Sequence, residues 1–591
     1  MSMQLSQQIT VDFDVPARMR DGTILRANVY RPEGEGRWPV LLTRLPYGKD
    51  LPMGFDGTQL ARRGYVVIVQ DTRGRFASEG EWDPMRNEAL DGVDTIAWAA
   101  SLPYSDGQVG MFGASYYGFT QWSAAVHQPP ALKAMVPYIT WNDPFNGSLF
   151  RGGALELGIS ASWQMLMGIN VLMRRSASDP DPRNLGRAIY MWAQELDNLG
   201  PRGYWSLPLK TFGPLQRTGV APAFFEAIEH PMDREAVETI TILGKHNRVT
   251  VPTLNIGGWY DIFLQDTIEN FRLMREQGTT PEARQSKLLI GPWVHGGSTN
   301  PVGEMNFGFA STPALINLQT DLVSLHVRWY NHFLKGIDTG MLTEAPIKLF
   351  VMGANIWRDE QEWPLARAVE TRYYLHSDGH ANTLNGAGLL STGAPGAEEA
   401  DRYDYDPANP VITRGGALLM TPEYRPGVVD QRPTESRDDV LVYTTPVLEQ
   451  DIEVTGPITV HLWAISSAPD TDFVARLVDV HPDGYAQNLT DGIIRARYRD
   501  VVLRRSSELS LIEPGQAYEY VIDLWSTSNV FKQGHRIRLD VTSSNFPRWD
   551  RNPNTGHEFG VDEELAVAHQ RILHDAKHPS YVLLPLVPVG A

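Results

Sequence analysis

At 591 residues the chain is too long for one hydrophobic core, and about three or four domains is the expectation for that length. Its 42% hydrophobic and 10% aromatic content is that of a globular protein, and its net charge of −18 argues against a nucleic-acid partner, whose phosphates want a basic face. The absence of cysteine removes disulfides, thiolate catalysis and Cys-ligated zinc, and fits a reducing compartment.

The stretch "MSMQLSQQITVDFDVPARMRDGTILRANVY" lacks the basic-then-apolar pattern of a signal peptide and moves directly into strand-like alternation. No apolar run approaches the ~18–20 residues of a membrane span, so a soluble, cytoplasmic protein is expected. Residues 39–44, 65–71, 108–113 and 134–139 are short runs rich in Val, Ile or Leu, the pattern of strands buried on both faces. Between them, 85–102 carries apolar residues at helical spacing with acids early in the segment. Strands alternating with helices predict a doubly wound α/β sheet.

From 146 to 240 the pattern becomes helical and reads as a cap inserted between sheet strands. Sheet signals return at 251–261 and 287–295, separated by a helix at 263–277. Beyond about 350 the chain is all-β, opening with "IKLFVM" and including "HRIRLDVTSS". In the latter, Ile537, Leu539 and Val541 alternate with Arg536, Arg538 and Asp540, predicting one buried and one wet face. The stretch 377–410, rich in Gly, Ala, Asn, Asp and Pro, reads as a long loop. The expected division is a doubly wound α/β core over 1–145 and 241–350, a helical cap over 146–240, and an all-β sandwich or jelly roll over 351–591.

One junction in this pattern carries chemistry. In "GMFGASYYGFTQW" (110–122), Ser115 follows an apolar strand and precedes a helix. The serine-hydrolase elbow is usually spelled G-x-S-x-G; here Gly113 and Ser115 fit, but Tyr117 replaces the second glycine and Gly118 comes one residue late. A strand–turn–helix junction would put the hydroxyl at the carboxyl end of the sheet and the Tyr116 amide at a helix N-terminus, facing a developing oxyanion. From the motif alone, a nucleophile and an ordinary turn serine are equally good readings. Two further residues shift the balance. Asp261 ends "TLNIGGWYD" and His295 ends "LLIGPWVH", both just past predicted strands, in the chain order Ser, Asp, His of α/β-hydrolases. His295 would be the general base and Asp261 would fix its tautomer. Any single one of the fifteen histidines is more often structural, but three placements in the right order are not readily accidental.

"LPYGKD", "DTRGRFASEGEW", "GASYYGFTQW", "GGWYDIF", "GPWVHGG" and "TSNVFKQGHRIRLDVTSSNFPRWDRNPNTG" resemble the cocaine esterase branch of the family that also contains X-prolyl dipeptidyl-peptidases and α-amino-acid ester hydrolases. The resemblance spans nearly the whole chain. It implies an elbow spelled G-x-S-Y-x-G, met by Gly113, Ser115, Tyr116 and Gly118, and a hydroxyl of Tyr47 that donates to the oxyanion beside the Tyr116 amide. Without it, Tyr47 reads more readily as a packed aromatic. In the amino-selective members of the family, acids stand two and three positions beyond the triad aspartate. Here those positions are Phe263 and Leu264, which argues for a neutral acyl group, because a buried ammonium without a partner is costly.

The resemblance further implies an acyl pocket of Phe263, Trp163, Leu419 and Met420; for the last three, core packing is the plainer reading of each alone. Asp71 and Arg73 read as a structural ion pair beside the site. "HEF" (557–559) lacks the second histidine of H-E-x-x-H, so no metal is expected, nor any cofactor. The expected function is a serine carboxylic-ester hydrolase acting through an acyl-enzyme on a small-molecule ester with a neutral acyl group, a benzoyl-like one among the candidates, with no nucleic-acid or membrane partner and a homodimer left open. An amidase, acylase or dipeptidyl-peptidase is the alternative within enzymes, and a binding protein on a degenerate hydrolase fold the alternative outside them.

Overall fold

The apolar runs near the start of the chain become strands of one ten-stranded sheet in the computed structural model, which describes residues 8–51, 57–177, 179–297, 300–503 and 505–588. In chain order these are β1 (Ile9–Arg18), β2 (Ile24–Pro32), β3 (Trp38–Leu45), β4 (Val66–Asp71), β5 (Ser105–Ala114) and β6 (Leu132–Tyr138). A separate hairpin follows, β7 (Phe150–Arg151) with β8 (Ala154–Leu155). The sheet resumes with β9 (Leu254–Tyr260), β10 (Lys287–Val294), β11 (Ile347–Val351) and β12 (Ile356–Glu360). Its order is β1-β2-β4-β3-β5-β6-β9-β10-β11-β12, parallel from β4 to β11 and antiparallel at both edges.

Helices cover the parallel strands, which is why β9 is buried along its whole length. These are α1 (Gly57–Ala61), α2 (Glu88–Ser101), α3 (Tyr116–Ala125), α8 (Leu264–Gln277) and α9 (Leu322–Phe333); between α3 and α8, helices α4 (Leu157–Ser176), α5 (Pro182–Asp197), α6 (Gly213–Thr218) and α7 (Pro222–Glu229) pack mainly on one another. Helix α2 begins with Glu88 and Asp91 in its first turn and stops at Leu102, the residue before Pro103. Helix α5 starts at Pro182 with the Asp181 side chain accepting from the Arg183 N–H at 3.0 Å. Helices α4 to α7 lie in the 146–240 segment expected to be all-helical, but its start, read as helical from Gly152, holds the β7–β8 hairpin instead. Among the described residues, no helix is long and apolar enough to cross a membrane.

The C-terminal part is an all-β sheet of eleven strands. Its long strand Ile452–Ser466 pairs with Ala517–Phe531 on one side, and with Ala568–Leu573 and Tyr581–Val587 on the other. The strand Tyr581–Val587 lies between Ile452–Ser466 and Val369–His376. One apolar cluster runs without interruption from β9–β11 through Met352 into Leu462, Phe473 and Leu539 of this sheet. The Met352 backbone bridges the two parts, bonding to Ser528 and Val530 at 3.0 and 2.9 Å. Hairpin β7–β8 adds a second junction: the Arg495 N–H donates to the Gly152 carbonyl at 2.8 Å, and Trp549 Nε1 to Glu156 at 2.8 Å.

Three further expectations change. "IKLFVM" is β11, which pairs parallel with β10 and belongs to the α/β sheet, not to the all-β region. The 377–410 stretch contains two short strands, Leu389–Ser391 and Asp401–Tyr405. The face of Arg536–Thr542 expected to be wet is buried at Arg538 and Asp540, because Arg538 pairs with Glu435 and Asp540 with Arg476 at 3.7 Å. A polar alternation therefore marks an internal charged layer as well as it marks a solvent face.

Another buried ionic knot ties 377–410 down. His574, fully buried, bonds Asp401 at 2.9 Å and Glu398 at 3.1 Å. Burial alone would lower this imidazole's pKa, but the two carboxylates outweigh it and raise it above 6.5. A histidine raised in the folded state stabilises fully below its unfolded pKa, and that contribution is lost as pH rises through the folded value. The melting-temperature gap between the native protein and His574→Gln is therefore expected to shrink as pH is raised from about 6 to about 10, as thermal unfolding across that range would read.

Candidate active site

Ser115 occupies the turn between β5 and α3 with φ 54° and ψ −123°, a backbone that L-residues rarely adopt. It is held there from both sides of the peptide. Its N–H donates to the Tyr138 and Ile139 carbonyls at 2.9 and 3.2 Å, and its carbonyl accepts from the Gly118 and Phe119 N–H groups and the Thr140 hydroxyl. The spelling of the motif follows from packing. At Gly113, with φ 142°, a Cβ would fall 2.1 Å from the Tyr117 ring; at Gly118 it would fall 2.7 Å from the Thr140 side chain. Tyr117 thus fills the space over Gly113, and the second glycine is needed where α3 crosses Thr140.

Asp261 and His295 directly follow β9 and β10, adjacent parallel strands, and so reach the same crevice. His295 Nδ1 lies 2.7 Å from Asp261 Oδ2, and His295 Nε2 lies 3.0 Å from Ser115 Oγ. Asp261 is 0% exposed and His295 7%. The other Asp261 oxygen accepts the Phe263 N–H at 2.7 Å, so both carboxylate oxygens are committed and the carboxylate has one orientation. The Phe263 ring stands edge-on to the His295 imidazole, 5.2 Å away.

Tyr47, just past β3, accepts a hydrogen bond at its hydroxyl from Trp163 Nε1 at 3.2 Å, which leaves its own proton to donate. Burial raises its pKa, while Trp163, the Ser115 hydroxyl and the positive charge of Arg75 pull it back. The Tyr116 N–H is at the first helical position of α3, where no intrahelical acceptor exists. The Tyr116 side chain is anchored below: its hydroxyl donates to Glu88 at 2.9 Å and accepts from the Met85 N–H at 2.8 Å, and Arg44 pairs with Glu88 at 2.9 Å. Burial raises the Tyr116 pKa, so the phenol stays neutral.

Ser115 opens into a cavity of about 1010 Å³, counting its mouth, walled mainly by apolar side chains. Tyr47, Trp141, Trp163, Phe224, Phe263 and Leu419 all line it, so core loops, helical segment and all-β part each contribute. Met420 does not. It packs on Gly158 at the start of α4, behind the wall that Leu419 presents. Leu264 also turns away into the core, leaving Phe263 to face the cavity. Trp141 and Phe224 were not anticipated. Trp141 stands shortly after β6, a placement that could have flagged it; nothing in the sequence of α7 shows which face it presents. Arg73 pairs with Asp91 at 2.6 Å and Asp21 at 2.8 Å, not with Asp71, whose carboxylate accepts from the Lys49 and Ala77 N–H groups.

A parallel α/β sheet with serine, aspartate and histidine converging at the carboxyl ends of its strands defines an α/β-hydrolase. Residues 21–297 match the X-Pro dipeptidyl-peptidase (S15 family) domain, and residues 339–583 the X-Pro dipeptidyl-peptidase C-terminal non-catalytic domain. The chain is 39% identical to cocaine esterase of Rhodococcus sp. (strain MB1 Bresler) over 98% of its own length and 99% of that protein's. It therefore belongs to the S15 family of serine hydrolases, in the branch that holds cocaine esterase, and is a hydrolase. Its fold is shared with an aminopeptidase from a marine sediment Thaumarchaeota archaeon, at TM-score 0.80 and 24% identity over 100% and 99% of the two chains. It is shared equally with an α-amino-acid ester hydrolase, at TM-score 0.79 and 24% identity over 99% and 98%.

The packing account of the elbow is open to test. Tyr117→Gly, which restores the common spelling, should empty the space over Gly113 and destabilise the protein by about 3 kcal/mol or more, as chemical denaturation would measure.

Proposed function

We propose that the protein is a carboxylic-ester hydrolase working through Ser115, His295 and Asp261 by way of an acyl-enzyme. The single observation that carries this is the continuous line from Asp261 through His295 to Ser115 Oγ at the floor of an apolar cavity. Ser115 Oγ attacks the ester carbonyl carbon and passes its proton to His295 Nε2. The oxyanion receives the Tyr116 N–H and the Tyr47 hydroxyl, and collapse of the intermediate breaks the acyl–oxygen bond while His295 protonates the leaving alcohol. Water then repeats the sequence on the acyl-enzyme, freeing the acid and Ser115. Asp261, with its second oxygen held by the Phe263 amide, keeps His295 in the tautomer that accepts at Nε2.

The substrate is an ester with a neutral acyl group. Phe263 at the cavity wall offers an ammonium no counter-charge, and the one carboxylate lining the cavity among the described residues, Glu226, is already paired with Arg86 at 2.7 Å. Trp141, Trp163 and Phe263 suit an aromatic acyl group such as benzoyl. The helical segment 146–240 acts as a cap over this cavity, and the all-β part closes it from the far side through Leu419.

Ser115→Ala should abolish both turnover and labelling by a phosphonate ester while leaving the melting temperature intact; surviving esterase activity would sink the assignment. Asp261→Asn is expected to lower kcat by about 10⁴-fold, and Tyr47→Phe by about 10²–10³-fold, with the ester bound as before. Across aryl benzoates, short aliphatic esters and free-amine aminoacyl esters, kcat/KM should favour the first, and a preference for the last would overturn the reading of Phe263.

A further inference from the structure

Arg75, in the loop after β4, is a buried cation that forms no direct ion pair with any described residue, Asp71 acting on it only at longer range. It is 1% exposed, and no carboxylate lies within ion-pair distance of it among the described residues. Uncompensated buried charge is expensive, so the surroundings of such a group deserve accounting. Its guanidinium donates from Nε to the Pro46 carbonyl at 2.9 Å, and from Nη1 to the Met167 carbonyl at 3.3 Å. Its Cζ lies 4.3 Å from the centroid of the Trp82 ring, a cation–π contact, and Trp82 in turn packs on Trp163 with centroids 5.8 Å apart.

These partners all converge on one neighbour. Pro46 immediately precedes Tyr47, and Met167 stands one helical turn beyond Trp163 on α4, so a single side chain spans the two elements that carry the Trp163–Tyr47 hydrogen bond. Burial pushes the Arg75 pKa down to about 10, which still leaves it charged at neutral pH. Its field favours negative charge at the Tyr47 oxygen, in a site where low polarisability makes such charges count.

We propose that Arg75 is a positioning residue for Tyr47: its fork fixes the Tyr47 loop against α4, and its unneutralised charge strengthens the Tyr47 hydroxyl as a donor to the oxyanion. This rests on the reading of Tyr47 given above. The guanidinium touches no reacting atom, and its effect must pass through the Tyr47 O–H.

A double-mutant cycle tests this with para-nitrophenyl acetate as substrate. Arg75→Gln is expected to lower kcat about tenfold with KM changed by less than about twofold, and Arg75→Lys, which keeps the charge but can reach only one carbonyl, to fall between. In a Tyr47→Phe background either substitution should change kcat by less than about twofold, because the group through which it acts is gone. An undiminished loss in that background, or a loss confined to KM, would overturn the proposal. Where Arg75→Gln does not fold by circular dichroism, the same cycle with Arg75→Lys decides the matter. Tyr47→Phe alone leaving kcat unchanged would refute the oxyanion role of Tyr47 itself, an outcome distinct from additive losses, which would refute Arg75 only.

Discussion

Everything at the cavity floor depends on holding one serine in a conformation it would not choose. A positive φ at a residue with a side chain costs on the order of 1–3 kcal/mol, and Ser115 stays there because the surrounding contacts over-determine it. The end of β6 grips its N–H, Thr140 grips its carbonyl, and α3 begins at the next residue. Were the peptide to relax, the hydroxyl would leave His295 and the Tyr116 amide would leave the cavity together. The elbow is a mechanical part whose rigidity comes from β5, β6 and α3 at once.

The cavity itself is a junction and not a property of one layer. Hairpin β7–β8 plugs into the all-β part beside a cluster of buried charges, with Arg548 on Asp491 at 2.5 Å and Arg151 stacked 3.8 Å from Trp525. Such pairs add little net stability relative to apolar packing, but a mis-docked arrangement would strand a charge at a cost of several kcal/mol, roughly 3–5. They therefore select one docking of the two parts. In that docking Leu419 reaches the cavity.

Much of the fold was legible because parallel strands buried on both faces leave unbroken Val, Ile and Leu runs, and the ends of those runs locate Ser115, Asp261 and His295. Chain order then says which residues share a crevice. What failed to show was of a different kind. The alternation in 536–542 could not distinguish water from an internal layer of Glu435, Arg476 and Asp540, since both accept charge. Strand β11 looked like its all-β successors because its parallel partner, β10, lies far back in the chain, with Leu288 opposite Ile347. The neighbours Leu419 and Met420 were read together, but Leu419 lines the cavity while Met420 packs on Gly158, a division that the sequence of the loop does not specify. Arg73 found partners on α2 and the β1–β2 turn, a choice that nothing local in "DTRGR" specifies.

The strand Tyr581–Val587 has a bearing on how the protein comes into being. It fills the gap between Val369–His376 and Ile452–Ser466, yet it is synthesised after every other strand of that sheet. Until it emerges, a growing chain carries two open strand edges and an uncovered part of the apolar cluster shared with the α/β sheet. Closure of this sheet thus waits on the described strand that comes latest in chain order, and any folding intermediate that lacks it leaves both edges open to pairing with another chain.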